Sequence, residues 1–165
     1  MASGNFLAIF TPLSNEPPAS AFMTLDTRNS QPVLDADDAT DEEAVFSGVI
    51  PDIYASGGFT VKVHVMATTA TSGDVVIQAA FEALAAQDVD ADGFAAFQTS
   101  GAVTVSGTSG IEVIATITFT DGAQADSVAA ETAFRLKIRR DADNTSATDS
   151  VVGDCEISKV TIEET

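Results

Sequence analysis

The chain has 165 residues, 45% of them hydrophobic, and carries 25 Asp and Glu against seven Lys and Arg, a formal charge of −18 at pH 7. That length fits one domain with a full core, and the apolar content excludes an intrinsically disordered chain. The charge argues against nucleic-acid partners and against anionic membrane surfaces, because both would be repelled.

Residues 1–20 show no periodicity. Phe6, Leu7, Ile9 and Phe10 are apolar, and Pro12, Pro17 and Pro18 then prevent regular pairing. This reads as an extended N-terminal arm that covers the domain's own sheet or docks on a neighbour. Met1 to Leu13 lacks a basic n-region, so it is not read as a signal peptide. No stretch approaches the ~20 apolar residues of a membrane-spanning helix, and synthesis in a reducing cytoplasm is expected.

Residues 21–165 read as one β-sandwich. A short strand at Ala21–Leu25 turns at Arg28-Asn29-Ser30 and returns through Val33 and Leu34. Six acids in the nine residues 35–43 predict an exposed loop. Val45, Ser47 and Val49 alternate with Phe46 and Gly48 up to Pro51. Phe59, Val61, Val63 and Val65 then face one side of a strand, with Thr60, Lys62, His64 and Met66 on the other. Residues 75–83 fit either a helix or a strand. The Val75-Val76-Ile77 opening after a glycine turn favours a strand. Val103 and Val105 suggest another strand, and Ile111 to Phe119 alternate clearly. A helical turn is expected at 126–132. Phe134, Leu136 and Ile138 alternate with Arg135, Lys137 and Arg139. The last strand, Cys155 to Ile162, switches phase between Ile157 and Val160, which predicts a bulge. Eight to ten strands without alternating helices indicate an antiparallel β-sandwich or jelly roll.

Few residues offer chemistry. Asp88-Val89-Asp90-Ala91-Asp92-Gly93 alternates acids around a glycine, a pattern able to wrap Ca2+. Calcium wants roughly six to eight oxygens, and an EF-hand would need Glu where Thr99 stands, so this is a calcium candidate short of ligands. The acids of 35–43 are a second cation candidate, read first as a solvated loop. His64 is the only histidine and Cys155 the only cysteine, too few for a zinc site. A nucleophile pair would need them to meet in space, and nothing local indicates that. Arg135, Lys137, Arg139 and Arg140 place four of seven cations within six residues. They either neutralise acids on neighbouring strands, with Glu82 and Glu156 as candidates, or form a basic stripe for an acidic partner. Asn144-Thr145-Ser146 matches a glycosylation sequon, which means little without a signal peptide. No phosphate loop, nucleophile elbow, HExxH or CxxC is present. With no Trp and one Tyr, the chain also lacks the usual aromatic platforms of sugar sites. No enzyme and no obligatory cofactor is expected.

Several stretches taken together resemble small virion structural proteins of tailed bacteriophages. They are Thr27-Arg28-Asn29 leading into Pro32-Val33-Leu34-Asp35, Ala44-Val45-Phe46-Ser47-Gly48-Val49-Ile50-Pro51, Tyr54-Ala55-Ser56-Gly57-Gly58, Met66 to Val75, Ile117-Thr118-Phe119-Thr120-Asp121 and Phe134 to Asp141. The likeness covers residues 21–164. It implies a jelly-roll module on the capsid or tail, often a symmetric trimer. The leading expectation is a capsid decoration or cement protein on the virion surface, made in the host cytoplasm. Its partner would be the major capsid protein, with Phe6, Leu7, Ile9 and Phe10 as anchors. The alternative is a tail-fibre or baseplate module that binds host glycan, with calcium at Asp88, Asp90 and Asp92.

Overall fold

The computed structural model describes residues 4–165. Ten strands form two antiparallel sheets, and no α-helix occurs among the described residues. The strands are β1 (Phe6–Phe10), β2 (Thr24–Arg28), β3 (Gln31–Ala36), β4 (Glu43–Val49), β5 (Phe59–Ala67), β6 (Asp74–Ala83), β7 (Gln98–Thr104), β8 (Val113–Phe119), β9 (Ala133–Arg140) and β10 (Cys155–Glu164). One sheet runs β2, β3, β10, β5, β8, with β1 also on β10; the other runs β4, β9, β6, β7. Strands β3, β10, β5, β8 facing β4, β9, β6, β7 make the doubly wound order of an eight-stranded jelly roll.

Period-two sequences place the core. Phe59, Val61, Val63 and Val65 of β5 and Ala115, Ile117 and Phe119 of β8 are fully buried between the sheets. Six of the ten phenylalanines touch in a row, Phe46, Phe10, Phe134, Phe81, Phe59 and Phe119, with neighbouring centroids 4.8–6.2 Å apart. β6 is buried on both faces: on its outer side Glu82 and Gln78 meet Arg135 and Arg139 of β9, and the rings of Phe94 and Phe97 lie against those guanidinium groups. That double burial is why its sequence fits two periodicities. The bulge expected in β10 is present: its register to β5 shifts between Ile157 and Lys159, leaving Ser158 as the extra residue.

Three expectations are corrected. Residues 6–10 are not an arm outside the sandwich. They are β1, paired with Val160–Glu163 of β10, and Leu7 and Phe10 are core residues. The chain then crosses to the other sheet, where Glu16 N donates to Val45 O and Asn15 Oδ1 accepts from Val45 N, so the proline-rich segment closes one side of the sandwich. Residues 1–3 of the expected arm lie outside the described residues. The region 126–132 forms tight turns rather than a helical one. Arg140 does not belong to the basic stripe: it continues the inward set Phe134, Leu136, Ile138 and is fully buried.

Gly58 shows the tolerance of one turn. Its φ is +88°, and a Cβ there would lie 2.5 Å from Phe119 O, so both conformation and space require glycine.

Candidate functional site

β3 pairs with β10 only over Leu34–Ala36, and β1 takes the other half of the same β10 edge. A furrow opens where they diverge, on the outer face of the larger sheet. It consists of three hollows of about 420, 260 and 280 Å³. The first and second share Gln31, Glu112 and Ser158; the second and third share Pro12 and Leu13. The first end is polar. The last end is apolar, lined by Pro17, Phe22, Met23 and Leu25 among others.

At the polar end Arg28 pairs with Glu156 and donates from Nη2 to Thr68 O at 3.2 Å. The guanidinium lies against Gly110, where a Cβ would sit 2.8 Å from Nη2; glycine makes room for it. The bulge residue Ser158 donates its hydroxyl to Glu112 Oε1, and His64 Nδ1 is 3.2 Å from Glu112 Oε2. Serine, acid and histidine therefore meet, but the carboxylate sits between the other two. A nucleophilic triad needs the imidazole in the middle to take the hydroxyl proton, so this is not a triad and His64 cannot serve as the base for Ser158. Cys155 is in the core, while His64 faces outward. Burial, the largest influence, pushes the Cys155 thiol up to about 12 despite the nearby Arg140 guanidinium. The sequence candidates for a nucleophile pair thus do not meet.

The four apolar arm residues divide. Leu7 and Phe10 are core; Phe6 and Ile9 face outward, 55% and 58% exposed. With Leu13, Phe22 and Leu25 they form an exposed apolar set along the N-terminal segment and β2. Asp88, Asp90 and Asp92 close a turn on themselves: Asp92 Oδ2 accepts from Asp88 N and Asp88 Oδ1 from Asp90 N. Thr99, at the twelfth position of that loop, lies in β7. A tighter group is Asp41, Asp141 and Asp143, whose carboxylate oxygens lie within 4.8 Å of one another and could face a cation. Asp41 was in the expected acidic run; Asp141 and Asp143 were missed. Their signal was two alternating acids just before Thr145 and Ser146. Both of those residues donate to the buried Asp141 carboxylate through N–H and hydroxyl. Burial alone would raise the Asp141 pKa, but these hydrogen bonds outweigh it and hold the carboxyl well below its usual range.

The basic stripe is neutralised internally. Arg135 meets Glu82, Lys137 meets Glu43 and Arg139 meets Asp41. Arg135 and Lys137 lie over the Phe94 ring and Arg139 over Phe97, 4.1–4.9 Å from the centroids. Glu156, the other expected partner, is taken by Arg28.

Asp35 stands opposite Glu156 across the β3–β10 pair, and its Oδ1 is buried without a partner. Burial first, then Glu156 and Asp26, push its carboxyl up to about 6. Ionising it in the folded state therefore carries a penalty absent below pH ~4 and complete above about 6. Asp35→Asn should raise Tm at pH 7.5 by roughly a degree or two, the group being partly solvated. That advantage should vanish near pH 4. An equal gain at both pH values in thermal melts would assign the effect to packing instead.

No family model matches the chain, and no curated protein matches it. Two solved structures are similar to it over nearly all of both chains. One is a carbohydrate-binding module from Cellvibrio mixtus lichenase 5A in complex with cellotriose, 11% identical, with a TM-score of 0.47, 98% of this chain and 99% of that one being covered. The other is the K3 adhesin domain of Lys-gingipain from Porphyromonas gingivalis, 11% identical, with a TM-score of 0.40, covering 98% and 97%.

Proposed function

We propose that the chain is a structural protein of a tailed-phage particle, a capsid decoration protein whose jelly roll docks on the lattice of the major capsid protein as a symmetric oligomer. The observation that carries this reading is the outward apolar group Leu13, Phe22 and Leu25 around one hollow, on a molecule of charge −18 that also turns Phe6 and Ile9 of β1 outward. Apolar side chains grouped on an otherwise charged surface are what a protein interface buries. The likeness of residues 21–164 to virion structural proteins supports the same reading. Many weak contacts repeated over a lattice would add up to firm attachment.

The test is co-sedimentation with phage shells stripped of accessory proteins, followed by electron cryomicroscopy. Saturable binding at lattice positions is expected. Absence of binding, or a few copies at the tail vertex alone, would sink the proposal. A tail-fibre or baseplate module that binds host glycan is the second reading. Its specific support is the polar hollow, where Arg28, Asn29, Gln31, Glu112 and Ser158 offer hydrogen bonds to hydroxyls. Among the described residues no aromatic ring lines that hollow, and stacking is what usually strengthens sugar binding. A glycan-array signal lost on Gln31→Ala would favour this second reading.

A further inference from the structure

β2 is an outer strand of its sheet and pairs with no strand but β3 among the described residues. Four of its five residues are exposed, so its outer backbone edge stands clear of the rest of the sandwich. Such an edge is a template for another strand. Proteins usually blunt it with proline, lysine or a covering loop; β2 has none of these. Its one local cover is the Asp26 carboxylate, which accepts from Thr27 N at 2.7 Å and must turn away for a strand to add there. Its charged residues are Asp26 and Arg28, and Arg28 is tied to Glu156. Beside the edge, Leu13, Phe22 and Leu25, 69%, 46% and 53% exposed, border the apolar hollow of about 280 Å³.

Charge decides the occupant. Six of the seven Lys and Arg are engaged by acids of the same chain; Lys159 alone makes no ion pair among the described residues. The outward field is therefore that of the unpaired carboxylates. At this edge a second copy would meet the same excess of acids, which disfavours it as the occupant. A pairing of two β2 strands centred on Asp26 would also set like charges opposite each other. An extended segment bearing Lys or Arg is attracted instead.

On the docking reading above, we infer that the β2 edge and the Leu13–Phe22–Leu25 hollow receive an extended basic segment of the partner protein by strand addition. Backbone hydrogen bonds run along β2, alternate apolar side chains enter the hollow, and a Lys or Arg stands opposite Asp26.

The probes are synthetic peptides that alternate Lys with Val, their Glu–Val counterparts, and a Lys–Val version N-methylated at alternate amides. Binding is read by fluorescence anisotropy and by amide chemical shifts of the full chain. The Lys–Val peptide should bind and shift Leu13 and residues 22–28. N-methylation or Leu25→Asp should each weaken it roughly tenfold or more. The exposed Leu25 can change without loss of fold, which an unchanged melt would verify. Asp26→Lys should narrow the preference for the Lys–Val peptide over the Glu–Val one. Equal binding of both peptides, indifference to N-methylation, shifts confined to residues 35–43, or no binding would each overturn the inference. So would self-association of the chain that Leu25→Asp abolishes, which would identify a second copy as the occupant. Shell occupancy unaffected by Leu25→Asp would overturn this inference and leave decoration standing. Peptide binding at β2 with no shell occupancy would do the reverse.

Discussion

Arg140→Met should lower the unfolding free energy by roughly 3–5 kcal/mol, the usual cost of removing one partner of a buried ion pair. The guanidinium ends β9 and points between the sheets, 1% exposed. Its Nε and Nη2 donate to Asp149 Oδ2 and Oδ1 at 2.9 and 2.7 Å. Nη1 donates to Gly153 O at 2.8 Å, and Nη2 also to Val151 O at 2.7 Å. Burial alone would pull its pKa down, but the bonded Asp149 carboxylate more than offsets this and holds it above its ordinary value. Methionine fills the volume but leaves the Asp149 charge, itself 3% exposed, and two carbonyls without donors. A fall in Tm of roughly 10 °C is expected at this chain length. Adding Asp149→Asn should recover only part of it, because Asp149 also accepts from Val76 N and Val151 N. A single variant that melts within a degree or two of the parent would show that the pair holds nothing together.

The regular strands were legible because their alternation is local. Phe59 to Met66, Ile111 to Phe119 and Phe134 to Arg139 each declare two faces within a few residues. Even the bulge at Ser158 was visible as a change of phase. The same alternation, carried one step further, would have put Arg140 inside with Ile138; grouping it by charge with Arg139 concealed this. β1 was not legible. Its partner lies at the opposite end of the chain, and the prolines that follow it resemble the start of a linker rather than a strap over β4. The furrow was hidden for a related reason. Arg28, Gln31, Glu112 and Ser158 come from separate segments, and only the divergence of β3 and β1 along β10 brings them together. The Asp41, Asp141, Asp143 group is likewise joined by folding, so neither loop alone distinguishes it from a solvated acidic run.

Phe81→Ala tests the aromatic row that locks the two sheets together. Phe81 is fully buried on β6, stacked with Phe134 at 5.0 Å and tilted against Phe59 at 4.8 Å and Phe119 at 6.4 Å. Truncation removes the transfer free energy of the ring and leaves a cavity. The walls cannot close on it, since β6 is buried on both faces and held between β9 and β7. A loss of about 3–5 kcal/mol is expected, read as a lower midpoint in urea with an unchanged slope. Phe81→Leu keeps part of the volume and should lose about half as much. Phe10→Ala offers the comparison that matters for the N-terminal strand. Phe10 is 8% exposed, stacks on Phe46 at 5.1 Å and meets Phe134 edge-on at 6.2 Å. If β1 belongs to the cooperative sandwich, Phe10→Ala should shift the same single transition as Phe81→Ala, by a smaller amount. A separate early transition, or none, would show β1 to be a detachable element, and the side of the molecule proposed to meet a partner would then be formed only on docking.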